Sequence, residues 1–441
     1  MFELDRHVIT LEAGGRMRQP GGGVSPREAI QRILEGFADS GSSSMTIYFH
    51  GGVVSEPLAH VLAQRLYPEI TENFDSYPVF VIWKSGLLET IQSALLDIQS
   101  SSPLFLSVVK KLARWVALLA RDEGLAERKA SSPEELPLEA MLAAMELEQL
   151  PLVGWESLDA LVHGERFPAG EDSIAAFQQA MADDPVADQA LGAIISAAQI
   201  KKETPDRSEM EGSAAPATAV ATGHLSRSIV DRLAEEVGSS PENLNGRTTA
   251  ESWFFAGDVL RAILERFAEG TDHGYLGTIL EEMYRTMYAD KVGRFLWDEM
   301  KQNAADAYGP ITAESIPGGT LFLEEVKAFM EENERFDLNL IGHSAGSIHI
   351  AHFIDAGVQR MPDLFSLDNV VFLAPACSFE LFKSKMVPYD AYIGNFRIFT
   401  MSDGYERRDP LVKIMPLLYP HSLLYLVSGL FEDEPDTPLI G

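Results

Sequence analysis

Apolar residues recur along the chain in two rhythms, and the change from one to the other divides it. Met45-Thr46-Ile47-Tyr48-Phe49 is a short β-branched and aromatic run that stops at His50-Gly51-Gly52, and a helical spacing of apolar positions follows from Glu56 to Leu66. Val79-Phe80-Val81-Ile82-Trp83 is apolar throughout, the pattern of a strand buried on both faces. Upstream, His7 to Leu11 reads as a strand, Gly21 to Gly23 as a loop, and Pro26 to about Phe37 as an amphipathic helix with proline at its start. From residue 87 to about 308 the spacing is helical without a convincing strand, in stretches near 87 to 121, 134 to 149, 225 to 237, 249 to 268 and 275 to 303. Alternation then resumes. A helix over Thr320 to Asn333 precedes a strand over Leu338 to Ile341, a helix from Ala345, a strand over Val370 to Leu373 and a last strand over Phe396 to Met401.

Strands separated by helices predict the α/β class, a mostly parallel sheet covered by helices on both faces. The helical block therefore interrupts one α/β domain, 1 to 86 with 309 to 441, as an insertion or cap over 87 to 308. Within it, residues 203 to 222 have the composition of a mobile linker.

Composition narrows the class of function. The 441 residues carry a net charge of −31, which repels phosphate backbones and argues against nucleic-acid binding. Hydrophobic residues at 46% and charged residues at 23% are those of a globular protein. The first residues lack the basic and apolar regions of a secretory signal, so the cytoplasm is the expected compartment. Cys377, the single cysteine, excludes an intrachain disulfide and reads as a small buried hydrophobe. Leu104 to Leu119 is apolar but broken by Lys110, Lys111 and Arg114, too charged to span a membrane. Its basic face and Trp115 fit membrane-surface contact, although a packed cap helix is the preferred reading. Glu134 to Glu148 is a solvated helix with one packed face. His163, His224 and His273 have no second ligand at a useful spacing, and no phosphate-binding glycine loop occurs, so neither metal nor cofactor is expected.

The candidate chemistry sits at Gly342-His343-Ser344-Ala345-Gly346, a G-x-S-x-G pattern between an apolar strand and an amphipathic helix. So tight a turn strains the serine backbone, and glycine on either side removes the Cβ atoms that would collide. The helix beginning at Ala345 aims free N–H groups at the same point, where an oxyanion would be held. Gly51 and Gly52 can supply further N–H donors without side chains in the way. His50 reads as a brace for that loop, and His343 as packed against a neighbouring strand.

The HGG turn after an early strand and GHSAG after a later one together resemble the α/β-hydrolase superfamily. The likeness covers 1 to 86 and 309 to 441, and the insertion departs from it, since lids there commonly enter after the superfamily's sixth strand rather than between the strands that correspond to its fourth and fifth. The resemblance implies a triad in the order serine, acid, histidine, with Ser344 as nucleophile. Asp403 beyond the last strand is the preferred acid and Asp409 its rival. Of the histidines that follow Ser344, His349 and His352 ride on the helix leaving the turn and read as structural, which leaves His421, between the apolar runs Lys413 to Tyr419 and Ser422 to Phe431. Pro416 inside the first run suits only an edge strand, and the alternative is a histidine beyond Gly441. The expected activity is esterase- or lipase-like, on a small-molecule ester or acyl substrate. The alternatives are a peptidase or amidase using the same triad, and an inactive scaffold that binds partners through the acidic helical insertion.

Overall fold

A computed structural model describes residues 3–19, 24–83, 249–286, 289–313, 315–333, 335–411 and 419–441, with isolated positions 109, 112, 113, 116 and 178. The expected loop at Gly21 to Gly23, the stretches at 134 to 149 and 225 to 237, the linker at 203 to 222, His163 and His224 lie outside the described residues. So do nearly all of 87 to 121, including Lys110, Lys111, Arg114 and Trp115, and the run Lys413 to Tyr419 except for its last residue. The chain divides into two compact units, one of 1–88, 296–401 and 438–441, the other of 89–295 and 402–437. That division assigns 402–437 to the unit that also holds 89–295, where the sequence reading grouped it with the α/β strands.

The first unit is built on six parallel strands: β1 (Val8–Leu11), β2 (Ser44–Phe49), β3 (Tyr77–Trp83), β4 (Asp337–His343), β5 (Leu367–Leu373) and β6 (Ile393–Phe399). Their order across the sheet is β1-β3-β2-β4-β5-β6. Parallel neighbours need a crossover between them, which is why helical spacing separates each strand from the next in the sequence. A short turn of helix, α1 (Leu4–His7), runs into β1. Next, α2 (Pro26–Ser40) starts on a capping box: the Glu28 N–H donates to Ser25 Oγ at 3.2 Å while the Ser25 N–H donates to Glu28 Oε2 at 2.7 Å. It stops at Gly41 with φ 67°, where a left-handed residue is needed.

The third helix, α3 (Glu56–Asn73), runs past the expected end at Leu66 and through Pro68. The proline removes the bond to the carbonyl four residues back, and that carbonyl belongs to Gln64, which is exposed and can turn to water. Its apolar positions Ala59 and Ala63 lie against Ile82 and Phe80 of β3, with Tyr48 of β2 packed beside them. On the opposite side of β2, Phe49 meets Phe353 of a later helix at 6.1 Å. Neighbouring strand residues face opposite ways, so helices cover both faces of the sheet. All seven residues of β3 are buried, as its unbroken apolar run requires.

The second unit holds α4 (Thr249–Glu269) and α5 (Tyr275–Thr286), and α6 (Ala289–Asp306) carries the boundary at Leu296. The α/β alternation resumes with α7 (Gly318–Glu332) before β4, α8 (Gly346–Arg360) after it, and α9 (Phe379–Lys385) between β5 and β6. Cys377 is fully buried. No helix among the described residues is long and apolar enough to cross a membrane.

Candidate active site

The onward connections of two neighbouring strands diverge. From β2 the chain moves outward to β3, whereas from β4 it moves the other way to β5 and β6, and β2 and β4 lie side by side. In an open parallel sheet the crevice at such a divergence, beyond the carboxyl ends of the strands, is where ligands bind. Phe49 pairs in register with Gly342 at those ends, so His50-Gly51-Gly52 and His343-Ser344-Ala345 leave the sheet together.

Ser344 has φ 49°, a left-handed conformation that costs a non-glycine residue energy and persists only when the surroundings impose it. They do so from both sides. Its N–H donates to the Leu373 carbonyl at the end of β5 (2.9 Å), and its carbonyl accepts from the N–H groups of Ser347 (3.0 Å) and Ala376 (3.1 Å) and from Ser347 Oγ (2.6 Å). The glycines around it are there for space. A Cβ on Gly346 would stand 2.3 Å from the Phe49 carbonyl oxygen, and one on Gly342 2.8 Å from Ile350 Cδ1.

The HGG turn lies against the serine turn. A Cβ on Gly51 would stand 2.7 Å from His343 Nδ1 and 3.2 Å from Ser344 Cβ, and one on Gly52 2.4 Å from Met300 Sδ and 3.3 Å from Ala345 Cβ. Among the described residues, the N–H groups of Gly51, Gly52 and Ala345 have no hydrogen-bond acceptor. Three main-chain N–H groups thus lie in the two turns that pack together at the half-buried Ser344.

His50 braces this loop. Its Nδ1 is 2.8 Å from the Gly51 carbonyl, its Nε2 accepts from the Trp83 N–H at 3.1 Å, and its ring stacks on the Trp83 indole at 5.5 Å. Burial pushes its pKa down to about 4, so the ring is neutral. His343 packs against Gly51, in the turn after the neighbouring strand. On α8, His349 is buried between Phe49 (5.8 Å), Trp83 (4.6 Å) and Tyr308 (6.2 Å) with no hydrogen bond to either nitrogen among the described residues. Burial drives it well below the ordinary range, and burial with Lys385 nearby lowers His352 to about 4.

These histidines make the fold acid-sensitive. Each is held neutral below its unfolded value of 6.5, so the stability this confers is complete above that pH and is lost as the pH falls toward 4. The slope is about 1.4 kcal/mol per pH unit for each extra proton the unfolded chain binds. In urea unfolding between pH 7 and 4.5, His349→Phe should flatten that dependence by one proton's worth, and a wild-type stability independent of pH between 6.5 and 5 would refute the account.

Asp403, Asp409 and His421 belong to the second unit, whereas Ser344, Gly51, Gly52 and Ala345 belong to the first. Asp403 accepts from the Tyr425 hydroxyl and pairs with Arg407 at 2.9 Å. His421 is buried, with Nδ1 2.8 Å from the Arg407 carbonyl, the rings of Tyr419 and Tyr425 each 5.9 Å away, and its edge against Gly277 of α5. Arg407 and Tyr425 thus join the expected acid and histidine into one cluster. Asp409 is exposed.

The same unit contains an ionic network that spacing did not reveal. Arg266 of α4 bonds Glu281 (2.6 Å), Glu282 (3.0 Å) and Asp436 (2.9 Å); His273 Nδ1 lies 2.9 Å from Glu281, and the Tyr419 hydroxyl donates to Glu281. His273, read as having no second ligand, lies with Glu281 and Asp436 so that their ligand atoms fall within 4.8 Å of one another, and Arg266 supplies the positive charge among them. Partners 15 and 170 residues away from Arg266 leave no local signature. No protein-family model, curated protein or solved structure compared with the chain matches it, so any functional reading rests on the geometry of the chain itself.

Proposed function

We propose that the chain is a serine hydrolase that cleaves a small-molecule ester through an acyl-enzyme on Ser344. The observation that carries the reading is the juxtaposition of a left-handed, half-buried serine with the N–H groups of Gly51, Gly52 and Ala345, at the point where the onward connections of β2 and β4 diverge. In this reading Ser344 Oγ attacks the ester carbonyl and gives up its proton to a base. The tetrahedral oxyanion accepts from Ala345 and from Gly51 or Gly52. Its collapse breaks the bond to the alcohol, which leaves with the proton, and water then releases the acid from Ser344 by the same steps. The order of the strands and the two glycine turns support the resemblance to the α/β-hydrolase superfamily.

A fluorophosphonate probe should label the wild-type chain, and short p-nitrophenyl esters should be turned over. Ser344→Ala should abolish the label and lower turnover by about 10³-fold or more. Equal labelling of the two proteins ends the proposal. Asp403 and His421 stay the proposed acid and base, with Asp409 the rival acid, and their roles are tested separately. His421→Ala and Asp403→Asn should lower kcat, while Asp409→Asn should not.

A further inference from the structure

We infer that His50 and Trp83 are positioning residues of the oxyanion hole: each holds from behind the carbonyl of a peptide whose N–H is a proposed donor. The inference rests on Ser344 being a nucleophile. The Trp83 Nε1–H donates to the His50 carbonyl at 3.2 Å, and the His50 ring bonds the Gly51 carbonyl at 2.8 Å. Because the Trp83 N–H donates to Nε2, the single proton of the neutral ring is on Nδ1, and Nδ1–H is the donor to Gly51. The Val54 N–H adds a second, longer bond to that carbonyl at 3.3 Å.

A trans peptide is planar, with its N–H directed opposite to its C=O. Among the described residues every peptide bond is trans. Fixing the His50 carbonyl therefore fixes the direction of the Gly51 N–H, and fixing the Gly51 carbonyl fixes that of the Gly52 N–H. Glycine has no side chain to restrain these two peptides, so without such anchors they would reorient freely. Both anchors are buried, at 2% exposure for His50 and 3% for Trp83, and their rings stack. The donors are consequently set before any charge develops, the condition under which hydrogen bonds lower a barrier rather than merely follow it.

Trp83→Phe keeps the ring packing and deletes the Nε1–H. Its kcat on p-nitrophenyl esters, counted per fluorophosphonate-reactive site, should fall by roughly 10- to 100-fold while KM stays within about two-fold, because a loosened donor is lost mainly in the transition state. Affinity for a trifluoromethyl ketone, which forms an oxyanion adduct, should fall by a similar factor. His50→Ala should behave alike, and His50→Asn, whose amide N–H can reach toward the Gly51 carbonyl, should recover part of the loss. If Trp83→Phe does not fold, the His50→Ala and His50→Asn pair decides the matter. A wild type that labels at Ser344, together with variants whose kcat per site is unchanged, removes the positioning role alone. A wild type that neither labels nor turns over esters removes the nucleophile and this role with it.

Discussion

Arg266→Met is expected to destabilise the second unit by about 3–5 kcal/mol, the usual cost of removing one partner from a buried ion pair. The guanidinium is 7% exposed and touches three carboxylates, of which Glu281 is fully buried. Burial alone would raise the Glu281 pKa, but His273 and Arg266 outweigh it and hold the carboxyl well below the usual range. Methionine fills the volume and leaves the charges behind. Glu282 retains Arg285, whereas Glu281 and Asp436 lose the cation that satisfied both.

The sign of the pH dependence separates this account from simple loss of packing. A carboxyl with a depressed pKa stabilises the fold above its unfolded value of 4.5, and that contribution fades as the pH falls below it. The wild type should therefore lose this stability on acidification while the variant, which no longer has it, should not, and the gap between them should narrow below pH 4.5. Glu281→Gln in the variant background should restore part of the loss, since the two sites share one interaction. Urea unfolding of the wild type, the two single variants and the double variant at pH 7 and pH 4 measures each quantity. A gap of equal size at both pH values would show that packing, not charge, was removed.

This network also marks where the sequence stops being legible. The β4 turn could be read because its causes are local: an apolar run sets the strand, helical spacing sets α8, and glycines at 342 and 346 stand where a Cβ would strike a neighbour within the same motif or at the end of β2. The strand Val79 to Trp83 was legible for the same reason, since burial on both faces leaves an unbroken apolar run. Partners met only in the folded chain were not. Nothing near His273 announces Asp436, and nothing near Trp83 shows that its indole N–H reaches the His50 carbonyl, beyond the position of a tryptophan at the end of a buried strand. Asp403 and His421 fall between these cases. The order that the resemblance implies singles them out, but what each bonds is decided by Tyr425 and Arg407, which no spacing rule identifies.

Gly346→Ala should both weaken the first unit and silence Ser344, because one methyl group acts on both. The added Cβ would stand 2.3 Å from the Phe49 carbonyl oxygen, 2.9 Å from its carbon and 3.0 Å from its Cβ. Most of that obstacle is main chain, pinned in the sheet between β3 and β4, so it cannot rotate aside as the end of a flexible side chain would. Relief requires α8 to move away from the end of β2, at a cost of about 1–3 kcal/mol, the range for over-packed interiors. The same displacement draws Ser344 and Ala345 away from Gly51 and Gly52, the contact on which the proposed oxyanion hole depends, and a shift of about 1 Å in a reacting geometry can cost some 10²-fold in rate. Labelling by a fluorophosphonate should slow accordingly in protein that is still folded at 25 °C. Gly404→Ala is the control, since a Cβ there meets nothing within 4 Å and should leave stability within about 0.5 kcal/mol of the wild type. If Gly346→Ala labels at the wild-type rate, α8 and β2 are not held together at this point, and the donors at Gly51 and Gly52 are not registered to the serine by the sheet.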